Sequence, residues 1–237
     1  MNAAALATAV AGVLIASLVA FMPYARRPRL SVIEDGERIH SRVESTPQGP
    51  IPHMRLLVNN SRRRRAAEGT RVLVVAYRQV GVVDSGWTSL AHPSLGWPSA
   101  PEAAETAALT VFAGGPRPIG LGRLIRVRVG EAGELMRPTV ELNGVPIRGI
   151  PHYAADPGDP PAAGWYLWLD LAFNQDLNDN RDKLPPAENG YTIRLLVGAN
   201  DGAARLFDVD INWDGNPDLT ADDVLASALN HLAVRRA

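Results

Sequence analysis

The sequence predicts an all-β domain behind an apolar N-terminal segment, and three features carry that expectation. Beyond residue 28 the apolar residues recur in short runs separated by Gly, Pro, Asn and Asp, the signature of many short strands. Two of those runs alternate: Phe207, Val209, Ile211 and Trp213 oppose Asp208, Asp210 and Asn212, while Arg71, Leu73, Val75 and Tyr77 oppose Val72, Val74 and Ala76. Asn143 and Gly144, set between two short runs, are the residue types that accept the positive φ angles of a type I′ hairpin turn.

Strands are expected over Arg29 to Ile33, His53 to Asn59, Arg71 to Tyr77, Leu109 to Ala113, Leu124 to Val129, Thr139 to Leu142, Trp165 to Phe173, Tyr191 to Val197 and Arg205 to Trp213. Pro146 marks an edge strand after the hairpin, because proline cannot donate to a ladder. The Pro-rich stretch from Ile150 to Gly164 is expected as a surface connection, and Ser99 to Thr106 as a helical turn or loop. Thr220 opens a short amphipathic C-terminal helix, with Asp222 and Asp223 near the positive end of its dipole; a last strand over Leu229 to Val234 is the alternative.

The twenty residues from Ala3 to Met22 carry no charge, and at about 1.5 Å rise per residue they match the ~30 Å hydrocarbon thickness of a bilayer. A cleaved signal peptide is the rival reading, but it would carry a basic n-region and a shorter apolar core, and nothing basic precedes this run. Residues 1–23 are therefore expected as an uncleaved transmembrane anchor and 24–28 as a basic juxtamembrane linker. Tyr24, Arg26, Arg27 and Arg29 flank the membrane on its C-terminal side. Basic groups resist translocation, so the domain over 29–237 is expected in the cytoplasm, at the inner face of the cell membrane.

Net charge is only −1, yet it is unevenly placed: residues 1–130 hold 16 arginines against 8 acids, and residues 131–237 hold 8 basic side chains against 17 acids. Of the basic residues only Lys183 is a lysine, so arginine abundance is general to the chain and argues weakly for nucleic acid. The absence of cysteine excludes disulfides and thiolate metal sites.

The run His53-Met-Arg-Leu-Leu-Val-Asn-Asn60, a polar turn through Glu68 and Gly69, and then Arg71-Val-Leu-Val-Val75 resembles the early strands of bacterial immunoglobulin-like sandwich domains. The chain as a whole resembles uncharacterised actinobacterial single-pass membrane proteins, for which the resemblance implies no activity. It implies an immunoglobulin-like antiparallel β-sandwich, with the middle section as an elaboration outside the analogy.

Four side chains are candidate calcium ligands. Asp214 and Asp218 end a series of oxygen donors at every second position from Asp208, and Asp176 and Asp182 sit in a second acidic loop. Counted from Asp210, the position that needs a bidentate acid falls on Ala221, which departs from a calcium loop, and such clusters also build ordinary turns. Asp84 lies in a single Asp-Ser-Gly motif like that of aspartic proteases, but Trp87 stands where that family has a small residue. The run Arg62 to Arg65 falls in a turn that could meet the phosphates of anionic lipid or nucleic acid, but a solvated basic turn is the preferred reading, and with no aromatic platform or recognition helix no nucleic-acid partner is expected. No nucleophile elbow, phosphate loop or metal-spaced histidine pair is present. The expected role is a non-enzymatic interaction or scaffold module without a cofactor, tethered through residues 3–22 beside another membrane-associated protein. A calcium- or lipid-responsive C2-like domain is the alternative, and an aspartic-type hydrolase around Asp84 the third.

Overall fold

The computed structural model describes residues 17, 26–36, 39–46, 49–62, 64–82, 86–90, 94–97, 108–129, 135–136, 141–142, 145–146, 163–170, 183–184 and 187–237. Apart from Ser17, the anchor segment Ala3 to Met22 lies outside them, as do Tyr24, Asp84, Asp176, Asp182 and the stretch from Ser99 to Thr106. Among the described residues no helix is long and apolar enough to cross a membrane.

In chain order the strands are β1 (Leu30–Glu34), β2 (Arg42–Thr46), β3 (Gly49–Asn60), β4 (Ala67–Gln79), β5 (Thr88–Ser89), β6 (Leu109–Val111), β7 (Arg117–Val129), β8 (Leu135–Met136), β9 (Glu141–Leu142), β10 (Val145–Pro146), β11 (Gly164–Leu169), β12 (Lys183–Leu184), β13 (Tyr191–Gly198) and β14 (Arg205–Ile211). Helix α1 (Ala221–Asn230) and β15 (Ala233–Arg236) close the chain. The first sheet runs β1-β3-β7-β11-β12, with β2 also on β3 and β8 on β7; the second runs β15-β14-β13-β4-β5, with β6 also on β4. All these strand pairs are antiparallel, so the all-β expectation holds. Leu142 pairs with Val145 and Glu141 with Pro146, while the expected turn at 143–144 lies outside the described residues.

Both sheets feed one core. Met54, Leu56 and Val58 of β3 and Leu167 and Leu169 of β11 meet Val72 and Val74 of β4, Ile193, Leu195 and Val197 of β13 and Val209 of β14, all at most 1% exposed. Burying side chains of this size contributes about 1.5–3 kcal/mol each. The alternation in β14 is as expected, with Phe207, Val209 and Ile211 inside and Asp208 and Asp210 outside. In β4 the parity breaks: a register shift opposite Arg194 and Leu195 carries Tyr77 to the inner side with Val72 and Val74. Its ring there meets Tyr191 edge-on at 6.2 Å, and Tyr191 stacks on Trp213 at 5.9 Å.

The C-terminal expectation resolves into both alternatives. Thr220 caps α1 by accepting from the Asp223 amide at 3.2 Å, and Val224, Leu225 and Ala228 bury one face in the core. The helix stops after Asn230, and β15 then returns along β14. Strand β2 was not foreseen, and β7 begins at Arg117 where the sequence suggested Leu124.

These pairings fix two ends. Leu30 pairs with Asn60, Arg117 with Val58, Arg205 with Val197 and Arg236 with Phe207, so β1 and β14 start and β3, β13 and β15 finish at one end. The other end carries α1 and the turn at Gly190, whose φ of +78° and approach to the Ile211 carbonyl leave no room for a Cβ.

Candidate functional site

The end at which β1 starts gathers a group of the described arginines. Arg26 and Arg29 are stitched to the turn after β3, since the Arg65 amide donates to the Arg26 carbonyl at 3.0 Å and the Ser61 amide to the Arg29 carbonyl at 3.3 Å. Asn60 holds the junction. It is fully buried, accepts from the Arg29 amide at 3.1 Å through Oδ1, and donates through Nδ2 to the carbonyls of Arg65 (2.6 Å) and Val111 (3.3 Å). The turn between β13 and β14 joins them, because the Asn200 amide donates to the Glu68 carbonyl and Gly202 lies beside Pro28. Four stretches separated in sequence thereby present Arg26, Arg29, Arg62, Arg64, Arg65, Arg205 and Arg236 on one surface. Phe112, 55% exposed, stands on the same end beneath the Arg117 guanidinium, while the Ala113 bridge to Asn60 fixes the loop.

Between β1 and β15, the outer strands of the two sheets, runs a groove of about 770 Å³ lined by Arg29, Arg62, Arg205, Arg235 and Arg236 and by no acidic residue. Outside the groove Arg42 and Arg55 pair with Glu44, Arg123 with Asp170 and Arg194 with Asp208, and of the groove's own arginines Arg235 pairs with Asp210. Among the described residues Arg29, Arg62, Arg205 and Arg236 have no such partner. Burial and then the neighbouring guanidiniums of Arg236, Arg29 and Arg64 push the Arg205 guanidinium below its ordinary range. Like charges held this close favour an anion between them. Among the described residues the opposite end carries Glu188, Asp214, Asp218, Asp222 and Asp223, with Arg78 beside Glu188, while Glu68 and Asp201 lie on the arginine end.

A second titratable cluster lies on the outer face of the first sheet. His53 Nε2 is 3.5 Å from Glu44 Oε2, and Arg55 and Arg123 flank it with Asp170. Burial, then Arg123, push His53 down to about 4 against the pull of Glu44 and Asp170. Burial raises Glu44, but His53, Arg55 and Arg42 together bring it below its usual range. Nearby Asp35, buried between β1 and β2, accepts from the His40 and Ser41 amides at 2.7 Å each, so this cluster fastens an interrupted edge strand.

On the outer face of the second sheet Arg194 grips Asp208 with two bonds, at 2.7 and 2.8 Å, while its guanidinium lies 4.0 Å from the centre of the Trp87 ring, with Arg78 at 4.7 Å. Trp97, Trp165 and Trp213 are buried; the Trp213 indole donates to the Trp165 carbonyl at 2.8 Å.

Of the sequence-proposed ligands, Asp214 and Asp218 are described and Asp176 and Asp182 lie outside the described residues. Asp214 Oδ1 accepts from the Asn216 amide at 2.9 Å, and Asn216 Oδ1 from the Asp218 amide at 3.0 Å, which is the bonding of consecutive Asx turns. Among the described residues no group of three or more His, Asp or Glu is placed to hold a metal ion. Asp84 also lies outside the described residues. Arg26 and Arg29 of the membrane-flanking set are described and exposed, as is Arg27. Sequence reasoning saw Arg62 to Arg65 but missed Arg205 and Arg236, because no local signal links residues that only strand pairing brings together. No protein-family model, curated protein or solved structure matches this chain.

Proposed function

We propose that this protein is a membrane-tethered, non-enzymatic interaction module: an immunoglobulin-like β-sandwich held by residues 3–22 at the inner face of the cell membrane. Its basic end lies against the anionic bilayer surface, and its flanks and acidic end are left to a membrane-associated protein partner. The observation that carries this reading is the convergence of unpaired arginines on the end where the chain arrives from its apolar segment. Juxtamembrane arginines gain about 1 kcal/mol each near anionic lipid, so several on one end orient a domain as well as attract it. Exposed Phe112 beside Arg117 adds an aromatic group of the kind that favours the headgroup region. The non-enzymatic part rests on the described carboxylates, which serve as structural acceptors: Glu44, Asp170, Asp208 and Asp210 for arginines, Asp35 and Asp214 for backbone amides.

The chain has no native thiol, so single cysteines report position cleanly. Asp201→Cys sits in the exposed turn of the basic end and Asp222→Cys on the exposed face of α1 at the other. In intact cells neither should react with an impermeant reagent until the membrane is opened. In reconstituted bilayers a lipid-borne quencher should reach a fluorophore at 201 and spare one at 222. Labelling from outside refutes the sidedness, and equal quenching at both positions refutes the orientation.

A further inference from the structure

We infer that the groove between β1 and β15 is a discrete binding site for the phosphate of an anionic phospholipid headgroup, taken from the bilayer in which the chain is anchored. This rests on the reading of the basic end as membrane-facing and adds to it a located site. A diffuse basic surface would show arginines at separate positions, each pointing to solvent. Here Arg29 and Arg62 from the first sheet's side face Arg205 and Arg236 from the second across a single groove. Among the described residues none of these four has an acidic partner, whereas Arg235, the fifth arginine lining the groove, pairs with Asp210.

The chemistry of the walls selects the ligand. Guanidinium forks match phosphate oxygens in bidentate geometry, and Arg is more weakly hydrated than Lys, so an arginine-only site favours phosphate over a diffuse counterion cloud. A headgroup that also carries a quaternary amine brings a cation against Arg205 and Arg236 and is disfavoured. An anionic phosphate ester without a cation, as in phosphatidylglycerol or phosphatidic acid, is preferred. The source is argued from position: the groove shares its end with Arg26, where the chain leaves its apolar segment, and with exposed Phe112.

The full chain in nanodiscs tests this, with hydrogen exchange read at β1 (30–33) and β15 (233–236). Discs of phosphatidylcholine alone should leave these amides at their basal exchange rates, and discs containing phosphatidylglycerol should slow them below those rates. The pair Arg205→Gln with Arg236→Gln should weaken the lipid dependence on the order of thirtyfold, taking ~1 kcal/mol per arginine near an anionic surface. The pair Arg42→Gln with Arg78→Gln, an equal loss of charge at exposed positions away from the groove, should change nothing. Native mass spectrometry of the unaltered chain, which depends on no variant folding, should retain phosphatidylglycerol in preference to phosphatidylcholine.

Equal retention of the two lipids, or equal weakening by the Arg42→Gln and Arg78→Gln pair, overturns the discrete site. Full protection by inorganic phosphate over phosphatidylcholine discs overturns the lipid source and assigns the groove to a free anion. Should anionic discs slow the amides of 26–29 and 62–65 but leave those of β1 and β15 unchanged, the groove fails and the membrane-facing reading stands. Should none of these amides slow, both fail together.

Discussion

The backbone amide of Val234 donates to the Glu34 carboxylate at 3.1 Å, joining β15 of one sheet to β1 of the other across 200 residues of sequence. The amide points away from β14, so Glu34 covers a donor that an open strand edge would otherwise present to another chain. Glu34→Ala is expected to speed hydrogen exchange at Val234 while lowering stability by no more than about 1 kcal/mol, since the bond is exposed. Exchange unchanged at Val234 would show that the edge is protected by something else.

Stability should depend on pH through His53. Its folded pKa of about 4 lies below the ordinary 6.5, so the unfolded chain binds the extra proton between these values and stability rises with pH there. The contribution is complete above pH 6.5 and is lost as pH falls toward 4, at most about 3 kcal/mol. Glu44, also lowered, acts in the same direction in a more acidic window. His53→Gln should flatten the midpoint of urea unfolding between pH 6.5 and 4; a slope that survives the substitution assigns it elsewhere.

Asn60→Ala removes three hydrogen bonds that tie the Arg29 segment, the Arg65 turn and β6 together. A loss of about 2–3 kcal/mol follows from leaving buried backbone groups unpaired. The amides of residues 26–29 should also exchange faster than the core, which separates loosening of the basic end from uniform destabilisation.

Gly190→Ala places a Cβ against the Ile211 carbonyl at a φ of +78°. The expected cost is about 2–3 kcal/mol, read from thermal unfolding, with loss of the near-ultraviolet signal from the neighbouring Tyr191 and Trp213 pair. Gly36→Ala, where a Cβ meets nothing within 4 Å, is the control and should be close to neutral.

What could be read in advance followed from whether a residue's local neighbours decide its fate. Strand β14 was legible because one face meets the core and the other meets arginines, so its period of two survives in the letters. Thr220 was legible because a cap is a contact within four residues. Strand β2 was hidden: four of its five residues are polar, and Val43 alone packs on the core. The first half of β7 contains Pro118, Gly120 and Gly122 and so resembles a turn. The glycines are demanded by tertiary neighbours, since a Cβ at Gly120 would meet the Asp170 carboxylate and one at Gly122 the Trp168 carbonyl. Tyr77 was assigned to the wrong face because a register shift has no sequence signature. The basic end was half legible for the same reason: Arg62 to Arg65 are adjacent in the chain, while Arg205 and Arg236 reach them through the pairing of β13, β14 and β15.

On the proposed reading, a tether through residues 3–22 would fix how far the domain can wander and leave it free to tumble. The described arginines gathered at one end would then turn that body into a compass needle in the field of an anionic leaflet, so that a partner would meet mainly the opposite end and the flanks. Salt tunes this selection. With a Debye length near 8 Å at physiological ionic strength, the needle is held only while its basic pole sits within a headgroup's reach of the lipid, and raising salt should free its rotation without releasing the chain.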